Sequence, residues 1–477
     1  MLPAQTPLLA LQRCLEGGDF TRAISIADAM LAESKRNFNA WLGRASANLN
    51  LGWLIDADDD LEQALRLSPN DPQANLLRGM VEQRLGRIDA AVARLEPLAA
   101  SALPQAVEAG ITLSETLFYA HRRDALDRFV AARGAWMNDP RSAMTTARLQ
   151  ARTDPTAAIV VLTQIVENAK NPVLRRVAGF EAVQLLDKAG RYREAFDLAI
   201  RLHKALTPPY DIEGLVGDVR AQQELIERQP ERCASRVEPV TGVALIAALP
   251  RSGTTLLEQM LDRHPAVSGI GEYEGIDRIA NGVVSSGRWP KGLHMLPREQ
   301  LAALQAQYLH GATRLKRADA SWTFDKTLEG WRWLIAVAAV LPGVVLFRVT
   351  REPRDMAISM LLSYFHPNTK GWTGSLQLIQ RVIKAERAIL PSAFISLQVK
   401  HHNVAYESLV ADPQVHASKA LEIMGLSMDP RVLAPESNAR AVFTLSHEQV
   451  RRPINTTSIG RWKNYAFAFD GSWEGME

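Results

Sequence analysis

The pattern of apolar and polar positions in the first half of the chain contains small residues that recur every 34 residues. The recurring positions hold glycine and, five residues later, alanine: Gly18, Gly52, Gly86, Ala23, Ala57 and Ala91. Glycine suits a turn between two helices, and a small alanine lets antiparallel helices approach closely. A fixed period of this length indicates a stack of helical hairpins.

The phase of this repeat slips beyond residue 100, where Ala120 replaces the expected glycine. A clearer unit returns at Gly190 and Ala195, which keep the five-residue offset. We therefore predict three regular hairpins, about two degenerate ones and a late one that ends near Leu206.

The 34-residue unit resembles the tetratricopeptide repeat. That resemblance implies an N-terminal α-solenoid over residues 1–206, whose concave surface would bind a peptide or protein. A solenoid that serves only as a dimer interface or as a scaffold is the alternative.

The pattern changes after residue 240 to that of an α/β domain. The segment TGVALIAALP is a short apolar run with branched residues, as in a buried parallel strand. The next segment places Leu256, Leu257, Met260 and Leu261 on one face of a helix. We predict a linker over 207–240 and a P-loop-like α/β domain with a parallel sheet over 241–477.

The turn between this strand and helix has the composition of a phosphate-binding loop. N–H groups at a helix N-terminus attract anions, and Gly253 lets the backbone approach one closely. Thr254 and Thr255 add hydroxyl donors, and Arg251 adds a fork of charge-assisted donors. It is not a Walker A loop, because Thr254 stands where that motif requires lysine, which disfavours an ATP-dependent kinase of that type.

A second phosphate element follows in GVVLFRVTREPRDMAIS. Residues Val344 to Val349 are typical of a strand, Arg351 follows it, and Pro353 begins a helix. Ser359 lies about two helical turns beyond Arg351, so both side chains can face one phosphate. The sequence therefore predicts two phosphate sites on parallel strands.

Composition and charge narrow the class of protein. Of 477 residues, 47 % are hydrophobic and 22 % charged, as in ordinary globular proteins. A net charge of +3 gives no field that favours nucleic acid. The N-terminus lacks a basic region before its apolar stretch, and the longest apolar run, 334–347, is too short for a membrane. We expect a cytoplasmic protein without a membrane or nucleic-acid partner; oligomeric state is not readable.

The segment PRSGTTLLEQMLDRHPAVSGIGE resembles the 5′-phosphosulfate loop of sulfotransferases that use 3′-phosphoadenylyl sulfate (PAPS). The sequence of this segment is most similar to those of tyrosylprotein sulfotransferases and of bacterial sulfotransferases with N-terminal tetratricopeptide repeats. REPRDMAIS resembles the family's 3′-phosphate element, and AYESLVADP with RRPINTTSIGRWKNY resembles its C-terminal cofactor segments. The similarity covers roughly residues 242–470.

This resemblance implies roles for individual residues. The phosphosulfate group would be bound by Arg251, Ser252, Gly253, Thr254 and Thr255. The remaining cofactor contacts would come from Arg351 and Ser359 at the 3′-phosphate, Tyr406 near the adenine nucleotide, and Gly460 and Arg461 in the C-terminal loop. Glu272 corresponds to the general base of the tyrosylprotein enzymes, and Lys326 to a lysine that steadies charge during transfer.

The predicted reaction moves a sulfuryl group from PAPS to an acceptor hydroxyl and leaves adenosine 3′,5′-bisphosphate. Lys326 and Arg251 would stabilise the charge that develops on the bridging oxygen. Glu272 would accept the hydroxyl proton, with a pKa raised by Ile270 and Tyr273 nearby. The reaction needs no metal, and we expect none. His264 is expected to have a structural role.

Several positions depart from the family pattern. Gly271 replaces the first acid of a Glu-Glu pair, Ser363 replaces an arginine, and Gly460 replaces a serine and leaves only a backbone donor. Glu274 stands where the tyrosylprotein enzymes have a peptide-binding arginine.

The acceptor therefore remains open at this stage. Glu272 and the repeats favour a peptide tyrosine, whereas Glu274 leaves carbohydrate or small-molecule hydroxyls as alternatives. Trp331, Trp333 and Trp372 line either an acceptor cleft or the core. A repeat scaffold with a non-catalytic nucleotide-binding domain is the alternative from another class of protein.

Overall fold

The computed structural model describes residues 6–328, 330–438, 440 and 451–476. The chain divides into two compact units, one formed mainly by the helices up to Asp154 and the other by most of the chain from Pro155 onward.

The first unit consists of helices that pair into antiparallel hairpins. Their bounds are α1 Pro7–Glu16, α2 Phe20–Glu33, α3 Phe38–Leu51, α4 Leu54–Leu67, α5 Pro72–Arg84, α6 Ile88–Ala99, α7 Ala106–Tyr119, α8 Arg123–Ala132 and α9 Ser142–Gln150. The predicted helical hairpins are confirmed.

The turn glycines have the backbone conformation that makes glycine favourable there. Gly18, Gly52 and Gly86 have φ values of +75°, +80° and +75°, in the left-handed region. In the next hairpin Ala120 has an ordinary φ of −80°, and His121 takes the left-handed conformation with φ +56°. The slip in the repeat is thus a shift of the turn by one residue.

The recurring alanines lie where helices meet. Ala23, Ala57 and Ala91 are completely buried. A Cβ added to Gly79 would lie 2.6 Å from the Leu95 side chain, so the same close approach extends to that glycine.

The second unit begins with α10 Pro155–Asn168, α11 Pro172–Lys188, α12 Tyr192–Leu206 and α13 Ile212–Arg228. Of these helices, α11, α12 and α13 pack on the α/β part of the chain. His203 Nε2 lies 2.9 Å from the Leu361 carbonyl oxygen, and the Tyr465 hydroxyl donates to Asp187 at 2.5 Å. Burial lowers the pKa of His203. The limits 1–206 and 241–477 follow sequence pattern and stay a prediction, whereas the compact units divide at residues 154 and 155.

A sheet of five parallel strands forms the centre of the second unit in the described part of the chain. Its strands are β1 Val243–Ile246, β2 Val267–Gly271, β3 Trp322–Asp325, β4 Val345–Thr350 and β5 His401–Ala405, in the order β2-β3-β1-β4-β5. The central strands are buried on both faces, which explains their continuous apolar sequences.

Helices connect the strands and follow the last one. They are α14 Thr254–Leu261, α15 Gly275–Val284, α16 Arg298–Leu315, α17 Leu334–Val340, α18 Pro353–Leu361, α19 Pro367–Lys370, α20 Leu376–Ser396, α21 Tyr406–Ala411 and α22 Pro413–Ile423. The predicted P-loop-like α/β domain is confirmed, and β1 and β4, which carry the two predicted phosphate elements, are neighbours in the sheet.

Candidate active site

The carboxyl ends of the strands bring the predicted site residues to one edge of the sheet. Glu272 directly follows β2, Lys326 follows β3, Arg351 follows β4 and Tyr406 follows β5, while β1 leads into the loop 250–253. Ligands of open parallel sheets bind at this edge, because the loops there converge.

The loop after β1 has a backbone conformation that few sequences adopt. Arg251 has φ +65° and Gly253 has φ +104°. A Cβ at Gly253 would lie 2.3 Å from Cδ2 of Tyr406, so this position requires glycine for its backbone angle and for its neighbour. The Ser252 hydroxyl donates to the Leu249 carbonyl at 2.8 Å and ties the loop to the end of the strand.

The loop ends at the N-terminus of α14, where Thr254 and Thr255 are buried. The first N–H groups of a helix have no partner within the helix, and Gly253 supplies no side-chain cap to them. These groups and the loop therefore form a cradle for an anion.

Two arginines converge on this cradle. The Nε of Arg251 donates to the Ser359 hydroxyl oxygen at 2.7 Å, and Arg351 donates to the Arg251 carbonyl at 3.0 Å. Burial and the neighbouring Arg351 guanidinium lower the pKa of Arg251 to about 10. Two cations held this close are stabilised by an anion between or beside them.

Arg351 has contacts on several sides. Its guanidinium lies 4.7 Å from the centre of the Tyr406 ring and also donates to the Ser458 carbonyl oxygen. The Nε of Arg351 is buried and has no hydrogen-bond partner within the described residues. A buried donor of this kind is costly unless a ligand satisfies it, so the residues present fit an anionic nucleotide.

Glu272 and Lys326 form an ion pair at the ends of β2 and β3. Nζ of Lys326 lies 2.6 Å from Oε1 of Glu272, and the lysine is buried while half of the Glu272 side chain is exposed. The backbone places them together: Gly271 and Asp325 are paired in the sheet, and the Lys326 N–H donates to the Gly271 carbonyl at 2.9 Å.

The expected rise in the pKa of Glu272 is wrong. Burial raises this pKa, but the ammonium groups of Lys326 and Lys370 outweigh burial and hold it below its ordinary value. Glu272 is therefore an ionised carboxylate at neutral pH and a weaker base than the apolar neighbours Ile270 and Tyr273 suggested.

The C-terminal loop around Gly460 and Arg461 contacts side chains of the protein itself. The carboxylate of Asp355 accepts the N–H of Gly460 and the N–H of Trp462, each at 2.7 Å, so the predicted backbone donor of Gly460 is already occupied. The Arg461 side chain pairs with Asp187 of α11. In the structure, the Gly460 N–H and the Arg461 side chain thus have protein partners. Their role in cofactor binding remains a prediction.

Other expectations about single residues have clear outcomes. Ser363, in place of the family's arginine, donates to the Ser359 carbonyl at 2.7 Å. His264 uses both ring nitrogens, accepting from the Ala266 N–H and contacting the Ser427 carbonyl, which supports its structural role. Trp331 and Trp372 are buried in the core.

The third tryptophan, Trp333, lines a cavity of about 660 Å³. The cavity is bordered by aromatic, proline and polar residues, which include Tyr210, Asp218, Trp289, Arg332, Pro367 and Asn368. Pro367 and Asn368 belong to α19, whose last residue, Lys370, acts on the Glu272 carboxylate. Helix α19 therefore contributes both to the lining of the cavity and to the charges around the Glu272–Lys326 ion pair.

Sequence reasoning missed Asp325 and Asp355. Asp325 stands directly before Lys326 and Asp355 four residues after Arg351, and both are completely or almost completely buried. The only sequence signal for these two residues was a carboxylate close to the end of an apolar strand. Their burial and their distant hydrogen-bond partners cannot be deduced from neighbouring residues.

Within the described residues, no group of three or more His, Cys, Asp or Glu side chains is placed to hold a metal ion. In the same part of the chain, no helix has both the length and the apolar character needed to cross a membrane.

Comparison with known proteins gives a family match within the α/β part. Residues 244–430 match the model described as the Sulfotransferase family. This range contains the cradle, the ion pair, Arg351 and Tyr406, so the similarity to this family includes the candidate site, as the resemblance implied.

Individual relatives are distant. An uncharacterized protein of Aquifex aeolicus is 25 % identical over 309 residues, which are 61 % of this chain and 40 % of that protein. The protein-tyrosine sulfotransferase A of Caenorhabditis elegans is 24 % identical over 242 residues, 46 % of this chain and 60 % of that one. The chain thus spans less than two thirds of the length of either relative.

Among solved structures, the sulfotransferase domain from the curacin biosynthetic pathway is similar at 16 % identity, with a TM-score of 0.34. The alignment covers 47 % of this chain and 92 % of that domain.

Proposed function

We propose that the protein is a sulfotransferase that moves a sulfuryl group from PAPS to an acceptor hydroxyl. The observation that carries this proposal is the position of the Glu272–Lys326 ion pair at the same sheet edge as the anion cradle. A carboxylate and a buried ammonium beside a phosphate-binding loop supply a proton acceptor and a charge stabiliser for group transfer to a hydroxyl.

The donor would be held by the residues of the cradle. The N-terminus of α14, with Arg251, Thr254 and Thr255, would bind its 5′-phosphosulfate. Arg351, whose buried Nε has no partner within the described residues, and Ser359 would bind its 3′-phosphate. Bound PAPS supplies an activated sulfuryl group, and adenosine 3′,5′-bisphosphate is the product that remains.

The chain's own residues would act on the acceptor. Glu272 is ionised and half exposed, so its carboxylate can accept a proton from a hydroxyl that enters from solvent. Lys326 has three donors, of which one contacts Glu272, and the other two would stabilise charge that develops on the oxygen between donor and acceptor. Arg251 would stabilise the same charge from the loop.

The cavity beside α19 is the acceptor site in this proposal. Its volume of about 660 Å³ lies in the range of small-molecule sites. The aromatic rings of Tyr210, Trp289 and Trp333 favour an acceptor with a ring, and the similarity to protein-tyrosine sulfotransferases supports a tyrosine side chain of a peptide or protein. Carbohydrate and small-molecule hydroxyls are the alternative acceptors, since Glu274 does not favour an acidic peptide.

The helical hairpins of the first unit would present such a peptide or protein, and we propose this role together with a cytoplasmic location. A scaffold whose α/β unit binds nucleotide without turnover is the second candidate, because Lys326 holds the Glu272 carboxylate in an ion pair that competes with an acceptor hydroxyl for it.

Two measurements test the proposal. Calorimetry should detect binding of adenosine 3′,5′-bisphosphate but not of ATP, and assays with ³⁵S-labelled PAPS should detect transfer to tyrosine peptides, sugars or phenols. Bisphosphate binding without transfer to any acceptor would favour the scaffold, and absence of both would contradict the proposal.

A further inference from the structure

We propose that Asp325 is a positioning residue, held as a neutral carboxylic acid whose proton completes a hydrogen-bond chain to the turn that carries Glu272. The consequence for turnover rests on the proposed function, whereas the protonation state of Asp325 does not. The observation behind it is an excess of short oxygen contacts over the protons that could serve them.

Asp325 is the last residue of β3 and is completely buried. Its Oδ2 lies 2.8 Å from the Tyr308 hydroxyl, and its Oδ1 lies 2.8 Å from the Thr327 nitrogen and 2.6 Å from the Thr327 hydroxyl oxygen. The Thr327 hydroxyl oxygen also lies 2.6 Å from the Tyr273 carbonyl oxygen.

These four contacts need four protons. The Tyr308 hydroxyl, the Thr327 N–H and the Thr327 hydroxyl supply three. The Tyr273 carbonyl can only accept, so the Thr327 hydroxyl proton belongs to that contact. In this proposal a proton on Asp325 itself serves the 2.6 Å contact between Oδ1 and the Thr327 hydroxyl oxygen.

The charged surroundings agree with a neutral acid. Burial and, to a smaller extent, the Glu258 carboxylate of α14 outweigh the hydrogen bonds from Thr327 and Tyr308, and together they raise the pKa of Asp325 to about 7. The residues paired with Asp325 in the flanking strands, Leu245 and Gly271, carry no charge.

Further ionisable groups near this carboxyl lie on α16, on the turn after β2 and at the next position along the chain. Tyr308 of α16 has a pKa well above its ordinary value because of burial, and Tyr273 packs against it with ring centres 5.4 Å apart. Lys326 is the next residue along the chain, and its ammonium contacts Glu272.

The hydrogen-bond chain joins the two segments of the ion pair. Asp325 directly precedes Lys326, and Tyr273 directly follows Glu272. If Asp325 loses its proton, the Thr327 hydroxyl turns to the carboxylate, and the Tyr273 carbonyl loses its contact with this hydroxyl. The turn that carries Glu272 is then no longer fixed beside Lys326.

A stability measurement tests the protonation state without any assay of activity. The raised pKa of a native carboxyl means that the folded chain binds a proton that the unfolded chain releases above about pH 4. Stability from this group is thus complete below that pH and is lost as the pH rises toward about 7. Asp325→Asn, which mimics a protonated carboxyl, should remove this loss.

The expected result is an unfolding constant that rises more with pH in the wild type than in Asp325→Asn, by up to about tenfold per pH unit between pH 4 and 7. The proposal would be overturned if the unfolding constants of both proteins changed equally with pH. It would also be overturned if the wild type became more stable relative to the variant as the pH rises. If the variant does not fold, infrared spectra of aspartate-labelled protein decide. A protonated-carboxyl band at pH 6 that shifts in Thr327→Val supports it, and an unshifted spectrum contradicts it.

Kinetics test the positioning role. Thr327→Val should lower kcat at least tenfold with unchanged affinity for adenosine 3′,5′-bisphosphate, because a shift of about 1 Å in a catalytic group can cost ~10²-fold. The wild type should lose turnover above about pH 7, Asp325→Asn should not, and Asp325→Ala should be low throughout. Identical pH profiles for the wild type and Asp325→Asn would overturn the role. Absence of turnover in every protein would instead refute the sulfotransferase proposal and leave the stability result valid.

Discussion

The Lys326 ammonium and the Glu272 carboxylate lie 2.6 Å apart, although 54 residues separate them in the sequence. The lysine side chain is buried and the glutamate side chain is half exposed, so the ion pair extends from the protein interior to the solvent-exposed side of the site. The lysine sets the charge state of the carboxylate, and the carboxylate compensates the charge of a buried lysine.

Glu272→Gln should lower turnover by about 10²–10⁴-fold, because the amide keeps the size of the side chain but cannot accept a proton. Binding of adenosine 3′,5′-bisphosphate, measured by calorimetry, should be unchanged, since Glu272 lies outside the cradle. Glu299→Gln, at an exposed position of α16, is the matched control and should have wild-type turnover. Equal turnover of the two variants would exclude Glu272 as the base.

Lys326→Met should raise the pKa of Glu272, because it removes the nearest group that lowers this pKa and leaves the burial that raises it. The acid limb of the residual activity should then move to higher pH than in the wild type. The measurement is the pH dependence of kcat/KM between pH 4 and 8. An acid limb at the wild-type position would mean that Lys326 does not control this carboxylate.

Arg351→Ala should weaken binding of adenosine 3′,5′-bisphosphate by roughly 10–100-fold, because a hydrogen bond to a charged group contributes about 1.5–3 kcal/mol. Adenosine 5′-phosphosulfate, which lacks the 3′-phosphate, should bind almost as well to the variant as to the wild type. Arg298→Ala, at an exposed arginine, is the control. The same loss for both nucleotides would remove Arg351 from the 3′-phosphate site.

Gly253→Ala should lower the free energy of unfolding by about 1–3 kcal/mol, since φ +104° is strained for any residue with a Cβ. Bisphosphate binding should fall as well, because the new methyl group would displace Tyr406. Gly217→Ala, inside α13 with no atom near the added Cβ, should instead stabilise the protein by up to about 1 kcal/mol. Similar effects of both changes would show that the loop conformation has no special requirement.

A chain of residues 155–477 should fold and bind the bisphosphate, whereas residues 241–477 should be much less stable. The shorter chain loses Asp187, the partner of Tyr465 and Arg461, and His203, the partner of the Leu361 carbonyl. Each buried polar group without its partner costs about 1–3 kcal/mol. Thermal unfolding of both chains checks this, and equal midpoints would place the functional boundary near residue 240.

The sequence alone determined the features that depend on neighbouring residues. The spacing of Gly18, Gly52 and Gly86 predicted the helical hairpins, because a left-handed turn is a local requirement. The strand, the loop around Gly253 and the following helix were likewise readable, since apolar runs and loop glycines act within about ten residues of chain. The order of residues also placed Arg351 directly after a strand.

Only the tertiary structure decided which distant groups meet. The register of β2 and β3 brings Glu272 to Lys326, and this contact reverses the expected direction of the pKa shift. In the same way Arg461 is drawn to Asp187 and the Gly460 N–H to Asp355.

The physical reason is that charge and hydrogen-bond partners act through space. A side chain's pKa and its free donors depend on the buried groups within a few ångströms of it, and these come from segments that the fold selects. The proposed Asp325 proton is the clearest case, because two of the four contacts behind it, Tyr308 to Asp325 and Thr327 to Tyr273, exist only once β3, α16 and the turn after β2 are packed together.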